Sequence, residues 1–174
     1  MKKLRILDYL SAFGAVLILI VLDQYTKMLA VANLKDAGPF VIWKGVFELQ
    51  YLENRGMAFG MLQDQRIFFV VMTMIVMLFL AHFYAITPVD KKYLPLRICM
   101  VFLGAGAMGN LIDRVVHGFV VDFFYFSLID FPIFNVADIY VTVTFGVLLL
   151  LVFFYYKEED FIVYTRAYRK GAKK

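Results

Sequence analysis

Apolar and polar positions in this chain fall into long blocks rather than short alternations. Leu7 to about Ala32, Ile67–Ile86, Leu94–Ile112 and Ile139–Tyr156 are each almost uninterrupted apolar runs. A helix rising about 1.5 Å per residue needs about 20 such residues to cross a hydrocarbon layer of about 30 Å. The pattern therefore predicts four transmembrane helices. Between the first two, Phe40 to Tyr51 is rich in β-branched and aromatic residues around a turn-like Lys44-Gly45, which predicts a short hairpin or small sheet. In the third run, the stretch from Gly104 to Gly109 is small enough to admit a neighbouring helix closely, with Ala105 and Gly109 in small-xxx-small spacing. The expected fold class is an all-α membrane protein: four transmembrane helices and a small extracytoplasmic β-rich segment between helices one and two.

The first run also has to be weighed as a cleaved signal peptide, because Lys2-Lys3 precedes it and Ala30-Val31-Ala32 resembles a cleavage site. Asp23, Gln24 and Lys27 separate the apolar core from that tripeptide. A cleavage region directly follows its apolar core, so a retained helix with polar groups at its far end fits better.

Composition agrees with the pattern. The chain of 174 residues is 63% hydrophobic, against a soluble norm of about 45–50%. The net charge of +4 is no argument for nucleic acid, since its distribution follows the membrane. Lys2, Lys3, Arg5, Lys91, Lys92, Arg97, Lys157, Arg166, Arg169, Lys170, Lys173 and Lys174 make 12 of the 18 basic residues, and all flank the same side of the spans. By the positive-inside rule both termini and the link between helices two and three are expected in the cytoplasm. The two longer connections then lie outside. Residues 1–157 are expected to form one four-helix membrane domain, and residues 158–174 a charged cytoplasmic tail.

The candidate chemistry sits in the second outer connection. Gly109 to Asp138 carries Asp113, Arg114, Asp122, Asp130 and Asp138, with amides at Asn110 and Asn135. Charges near hydrocarbon cost roughly 2.5–3.5 kcal/mol each on insertion scales, and persist where they face a bundle interior or a wet cavity. Such a cluster in so apolar a chain points to a site. Asp122 is flanked by apolar and aromatic residues with no local cation. Asp138 opens helix four three residues after Asn135, which also fits a helix cap of the capping-box type. If the two acids meet, both cannot easily ionise, and one can hold a proton while the other acts as base on water. Asp23 and Lys27 are spaced for an i,i+4 ion pair, a reading that stands beside a functional one. Asp113 and Arg114 read first as a structural clamp, with Arg114 able to offer a carboxylate two parallel donors.

Other peptidase chemistries lack their residues. There is no HExxH zinc motif, and His82 and His117 lie on different segments. Ser127 lacks a Gly-x-Ser-Gly setting, Cys99 lies within an apolar run, and Gly-x-Gly-Asp is missing. An ion-coupled carrier would place acids at mid-membrane, whereas these cluster at one rim. A non-enzymatic assembly subunit leaves the clustered acids and amides unexplained.

Five segments in order resemble the bacterial lipoprotein signal peptidases (signal peptidase II): Asp23-Gln24-Tyr25-Thr26-Lys27, then Asn54-Arg55-Gly56-Met57-Ala58-Phe59-Gly60. Gly109-Asn110-Leu111-Ile112-Asp113-Arg114, Val120-Val121-Asp122-Phe123 and Phe134-Asn135-Val136-Ala137-Asp138 complete them. The resemblance implies an aspartic endopeptidase of the bacterial cell membrane. It would remove the signal peptide from diacylglyceryl-modified prolipoproteins, cleaving just before the lipidated cysteine, near the extracytoplasmic face. It implies Asp122 and Asp138 as catalytic residues, with Asp23, Lys27, Asn54, Gly56, Asn110, Arg114, Asn135 and Ala137 binding substrate or supporting the site. The partners implied are the prolipoprotein and membrane lipids, with no metal and no cofactor.

Overall fold

The computed structural model describes residues 2–56 and 65–165. Met57 to Gly60 of the second motif and the basic tail residues from Arg166 onward lie outside the described residues. Four helices carry the chain: α1 (Lys2–Leu34), α2 (Arg66–Ile86), α3 (Leu94–Val116) and α4 (Val136–Leu150). Each belongs to a segment long and apolar enough to cross a membrane. Helix α3 is the hub, packed against the other three. It runs further than its apolar block, through Asp113 and Arg114 to Val116, and stops where Gly118 takes a positive φ of 83°. Helix α4 starts earlier than the apolar pattern, at Val136, and ends in a π turn, Leu151–Tyr155. That wide turn swings Tyr156 inward to stack on Tyr93.

The predicted hairpin is present as β1 (Phe40–Trp43) and β2 (Phe47–Asn54), joined through Lys44 and Gly45, whose φ is 72°. A third strand, β3 (Val120–Tyr125), comes from the connection between α3 and α4 and pairs antiparallel with β2. The sequence reading did not anticipate it. Its signal was there in Val120-Val121 and Phe123-Phe124-Tyr125, but an aspartate interrupts the run. Phe47 packs beside Phe126 at 4.8 Å between ring centroids. Trp43 is 68% exposed.

The two ends of the bundle can be told apart by contacts. Arg5 donates to the Ala85 carbonyl, and Tyr156 to the Lys92 carbonyl, so α1 begins where α2 ends, α3 begins and α4 ends. The sheet and the acidic cluster occupy the opposite end. At the first end, Glu158–Tyr164 forms a 3-10 helix whose Val163 joins a small core with Tyr93 and Tyr156.

Candidate active site

Helix α1 brings Asp23 and Lys27 to the sheet-bearing end on one face, one turn apart. Their side chains lie 2.9 Å apart. This is the predicted i,i+4 pair, but it is buried rather than interfacial, with Asp23 0% and Lys27 3% exposed. Lys27 Nζ also donates to Asp113 Oδ2 at 3.0 Å and Asn110 Oδ1 at 2.9 Å. An ammonium has three protons, and all three are used. Asp23 Oδ1 accepts the main-chain N–H of Ala137 at 2.9 Å, tying α1 to the first turn of α4. Ala137 is fully buried there.

Glycines in α3 make that approach possible. A Cβ on Gly109 would sit 2.5 Å from Asp23 Oδ2, and one on Gly106 would sit 2.6 Å from the Ala137 carbonyl oxygen. The small-residue stretch therefore serves the buried carboxylate as well as helix packing.

Asp113 does not clamp Arg114. Its Oδ1 accepts Gln24 Nε2 at 2.9 Å, and its Oδ2 accepts Lys27 and the Val121 N–H, the latter at 3.1 Å. It thus fixes the start of β3, one residue before Asp122. Among the described residues Arg114 has no carboxylate within hydrogen-bond reach. It donates to the carbonyls of Gly56 at 3.3 Å and Asn110 at 3.5 Å, and its guanidinium lies 4.7 Å from the centre of the Phe69 ring. Gln24 and Asp113 are the buried-network residues that sequence reasoning undervalued. The available signal was their place beside motif residues on α1 and α3.

Asp122 is 1% exposed. In β3 it lies opposite Leu52, and Asn54 lies opposite Val120, so Asp122 and Asn54 are diagonal neighbours on one face of the sheet. Asn54 Nδ2 donates to Asp122 Oδ2 at 2.8 Å, and Asn54 Oδ1 accepts the Gly56 N–H at 3.0 Å. The return loop supplies the other donor. Phe134 exchanges main-chain hydrogen bonds with Phe124, which sets Asn135 beside β3. Asn135 Nδ2 then donates to Asp122 Oδ1 at 2.6 Å and to Asn110 Oδ1 at 3.1 Å.

Asp138 is a helix cap, as its spacing suggested. Its Oδ2 accepts the Asn135 N–H at 3.1 Å, and its own N–H donates to Asn135 Oδ1 at 3.0 Å. The cap is also wired to the other acid. Asn110 Nδ2 donates to Asp138 Oδ1 at 2.8 Å, and Asn135 touches both carboxylates. All ten residues expected at the site lie in one connected network, Gly56 through its N–H to Asn54 and Arg114 through the carbonyls of Gly56 and Asn110.

Charge is unevenly distributed here. Asp23, Asp113, Asp122 and Asp138 face two cations, Lys27 and Arg114, and Lys27 is committed to Asp23 and Asp113. Burial, and then the nearby charge of Asp138, push the Asp122 carboxyl up from 3.8 to about 7, against the pull of the Asn54 and Asn135 amides. Near neutral pH the Asp122 carboxyl is thus protonated in a substantial fraction of molecules. Among the described residues, no group of three or more His, Cys, Asp and Glu side chains is placed to hold a metal ion. Cys99 is buried in α3, and His117 with Gly118 ends that helix as turn material.

Comparison with known proteins gives this arrangement a family. Residues 15–155 match the family model described as Signal peptidase (SPase) II. A lipoprotein signal peptidase of Streptococcus thermophilus is 47% identical over 136 residues, 78% of this chain and 86% of the relative. One from Clostridium tetani is 40% identical over 134 residues, 75% of this chain and 83% of the relative. Among solved structures, a bacterial membrane enzyme determined by the in meso method at 2.3 Å superposes with a TM-score of 0.67 at 31% identity. That match covers 82% of this chain and 85% of the other. A second, at 1.9 Å, gives 0.71 at 28% identity, covering 84% and 94%. With most of its length matched in sequence and in fold, the chain belongs to the signal peptidase II family and is a multi-pass bacterial membrane peptidase.

Proposed function

We propose that this protein removes signal peptides from diacylglyceryl-modified prolipoproteins, cutting just before the lipidated cysteine with Asp122 and Asp138 as an acid–base pair. The observation that carries the mechanism is Asn135, which hydrogen-bonds both carboxylates while one of them retains a proton near neutral pH. In the resting site Asp122 holds the proton. Asp138, at the positive end of the α4 dipole, takes a proton from water as the water oxygen bonds to the scissile carbonyl carbon. The Asp122 carboxyl donates to the carbonyl oxygen as charge develops there. Collapse of the tetrahedral intermediate breaks the C–N bond, the leaving nitrogen takes up a proton, and the pair returns to its singly protonated state.

The remaining residues support that chemistry. Asn54, Asn110 and Asn135 orient the carboxylates, and Lys27 neutralises Asp23 and Asp113. Arg114 and the Gly56 main chain are placed to meet the substrate backbone. Residues 1–157 act as the peptidase domain, with 158–174 as a cytoplasmic appendage. Both termini lie in the cytoplasm and the site lies at the extracytoplasmic rim, in keeping with the lysine and arginine asymmetry.

The test is cleavage of purified precursor with and without its diacylglyceryl group. Rapid cleavage of the lipidated form alone is expected, and equal turnover of both forms would refute the substrate assignment. Orientation is read separately. In a Cys99→Ala background, cysteines placed at Lys44 and Ser127 should react with an impermeant thiol reagent on intact cells. Labelling at a C-terminal position but not at these would invert it.

A further inference from the structure

Helix α3 carries two arginines, and both lie over aromatic rings. Arg97, near its start, is 3.9 Å from the centre of the Tyr84 ring. Its nitrogens are also taken, by Asp8 and by the Tyr84 and Thr87 carbonyls. Arg114, near its end, is 4.7 Å from the centre of the Phe69 ring. A guanidinium carries five N–H donors. Among the described residues Arg114 engages only the Gly56 and Asn110 carbonyls, at 3.3 and 3.5 Å, both longer than an ordinary N–H···O contact. It lies within electrostatic reach of Asp138 and Asp122, so its open donors stand beside the dyad.

The choice of a ring as anchor has a chemical consequence. A carboxylate would hold the guanidinium firmly, but it would occupy two donors and cancel the charge. An aromatic face attracts the cation and takes no donor. Arg97 is therefore a saturated structural group, whereas Arg114 is held and still able to bind. Phe69 belongs to none of the five motif segments, and it is the means by which α2 enters the site. Its own position is fixed locally. Arg66, three residues earlier, donates to the Val115 carbonyl beside Arg114. Residues three apart share a helix face, so the first turn of α2 is tied to the last turn of α3 at two points.

We propose that Phe69 is a positioning residue for substrate binding: its ring holds the Arg114 guanidinium beside the dyad with donors open to a main-chain carbonyl of the substrate. The proposal rests on the peptidase reading and on Arg114 as a contact to the substrate backbone.

The test measures KM and kcat per folded molecule on lipidated precursor, with the full chain in detergent micelles. Phe69→Leu keeps an apolar side chain and removes the ring face. It should raise KM by roughly three- to tenfold, with the loss falling on KM rather than kcat, as removal of a binding contact does. Phe69→Tyr keeps the ring and should hold KM within about twofold of wild type. Arg114→Met should raise KM at least as much as Phe69→Leu. Adding Phe69→Leu to Arg114→Met should change nothing further, since two residues acting through one contact are not additive. Wild-type KM in Phe69→Leu, beside a raised KM in Arg114→Met, would overturn the role of Phe69 and leave the Arg114 assignment standing. An unchanged KM in Arg114→Met would overturn both. An effect of Phe69→Leu that persists in full beside Arg114→Met, or that Phe69→Tyr shares, would make the ring a packing element and overturn the proposal. Absence of cleavage by the wild type would sink the peptidase reading, and the proposal with it.

Discussion

Where α1 begins and α4 ends, Asp8 meets Arg97, and at the sheet-bearing end Asp23 and Asp113 share Lys27. Both are charge networks buried between helices. At the first end, Arg97 pairs with Asp8 through two nitrogens, donates to the Tyr84 and Thr87 carbonyls, and lies over the Tyr84 ring at 3.9 Å. Nearby, Lys92 pairs with Asp160. Asp8 and Asp160 each have their own cation. In the buried network at the other end, among the described residues, Asp23, Asp113, Asp122 and Asp138 face Lys27 and Arg114, and no arrangement of these side chains balances them. Matched charge makes a clamp. Surplus negative charge, held away from water, makes a site that keeps a proton.

The comparison breaks most severely at the dyad. Asp122→Asn and Asp138→Asn are each expected to reduce specific activity on lipidated precursor by roughly 10²–10⁴-fold or more. The double variant should be little worse than either single, as for members of one catalytic unit. Because Asp138 also caps α4, folded yield is to be measured beside activity. Near-normal activity per folded molecule for Asp138→Asn would leave it a cap and nothing else.

Next come the cations. Removing one partner of a buried pair costs about 3–5 kcal/mol, so Arg97→Met and Lys27→Met should both lower unfolding stability in detergent by that order. They should differ in rescue. Adding Asp8→Leu to Arg97→Met should restore most of the stability, since an apolar pair of similar volume can replace a buried ion pair. Activity per folded molecule should stay near wild type. Adding Asp23→Leu to Lys27→Met should not restore activity, because Lys27 also holds Asp113 and Asn110.

The two ends should also respond to pH in opposite directions. Asp122 is raised to about 7 in the folded chain from 3.8. The folded state therefore binds more protons than the unfolded state between about pH 4 and 7, and this contribution to stability is lost as pH rises through 7. Turnover should fall with it, roughly tenfold per unit well above that value once the shared proton is gone. The main-chain N–H of Lys157, and then Lys92, hold Asp160 below 3.8. Its contribution is present above 3.8 and is lost as pH falls. Unfolding scans from pH 3 to 9 on wild type, Asp122→Asn and Asp160→Asn separate the two slopes, and an unchanged slope between about pH 4 and 7 in Asp122→Asn would misassign the first.

The smallest effect is expected at the clamp's edge. Tyr164→Phe deletes the hydroxyl that lies 2.9 Å from Thr87 Oγ1, a change of about 1 kcal/mol in stability. Activity per folded molecule should not move.

The sequence by itself determined the four spans, the β1–β2 hairpin and the residues gathered at the site. Run length, β-branching and motif spacing are local properties, and local chemistry sets them. It also fixed the Asp138 cap, because a capping box needs only four consecutive residues. Tertiary structure decided the partners. Asp23 bonds a main-chain N–H 114 positions away, and Asp113 leaves its neighbour Arg114 for Gln24, Lys27 and Val121. Arg97, which by sequence is one more inner-side cation, turns inward to Asp8 across 89 positions. Val120–Tyr125 became a strand because β2 offered it an edge. A buried charge takes the partner that packing brings within hydrogen-bond reach, and packing is a property of the whole chain.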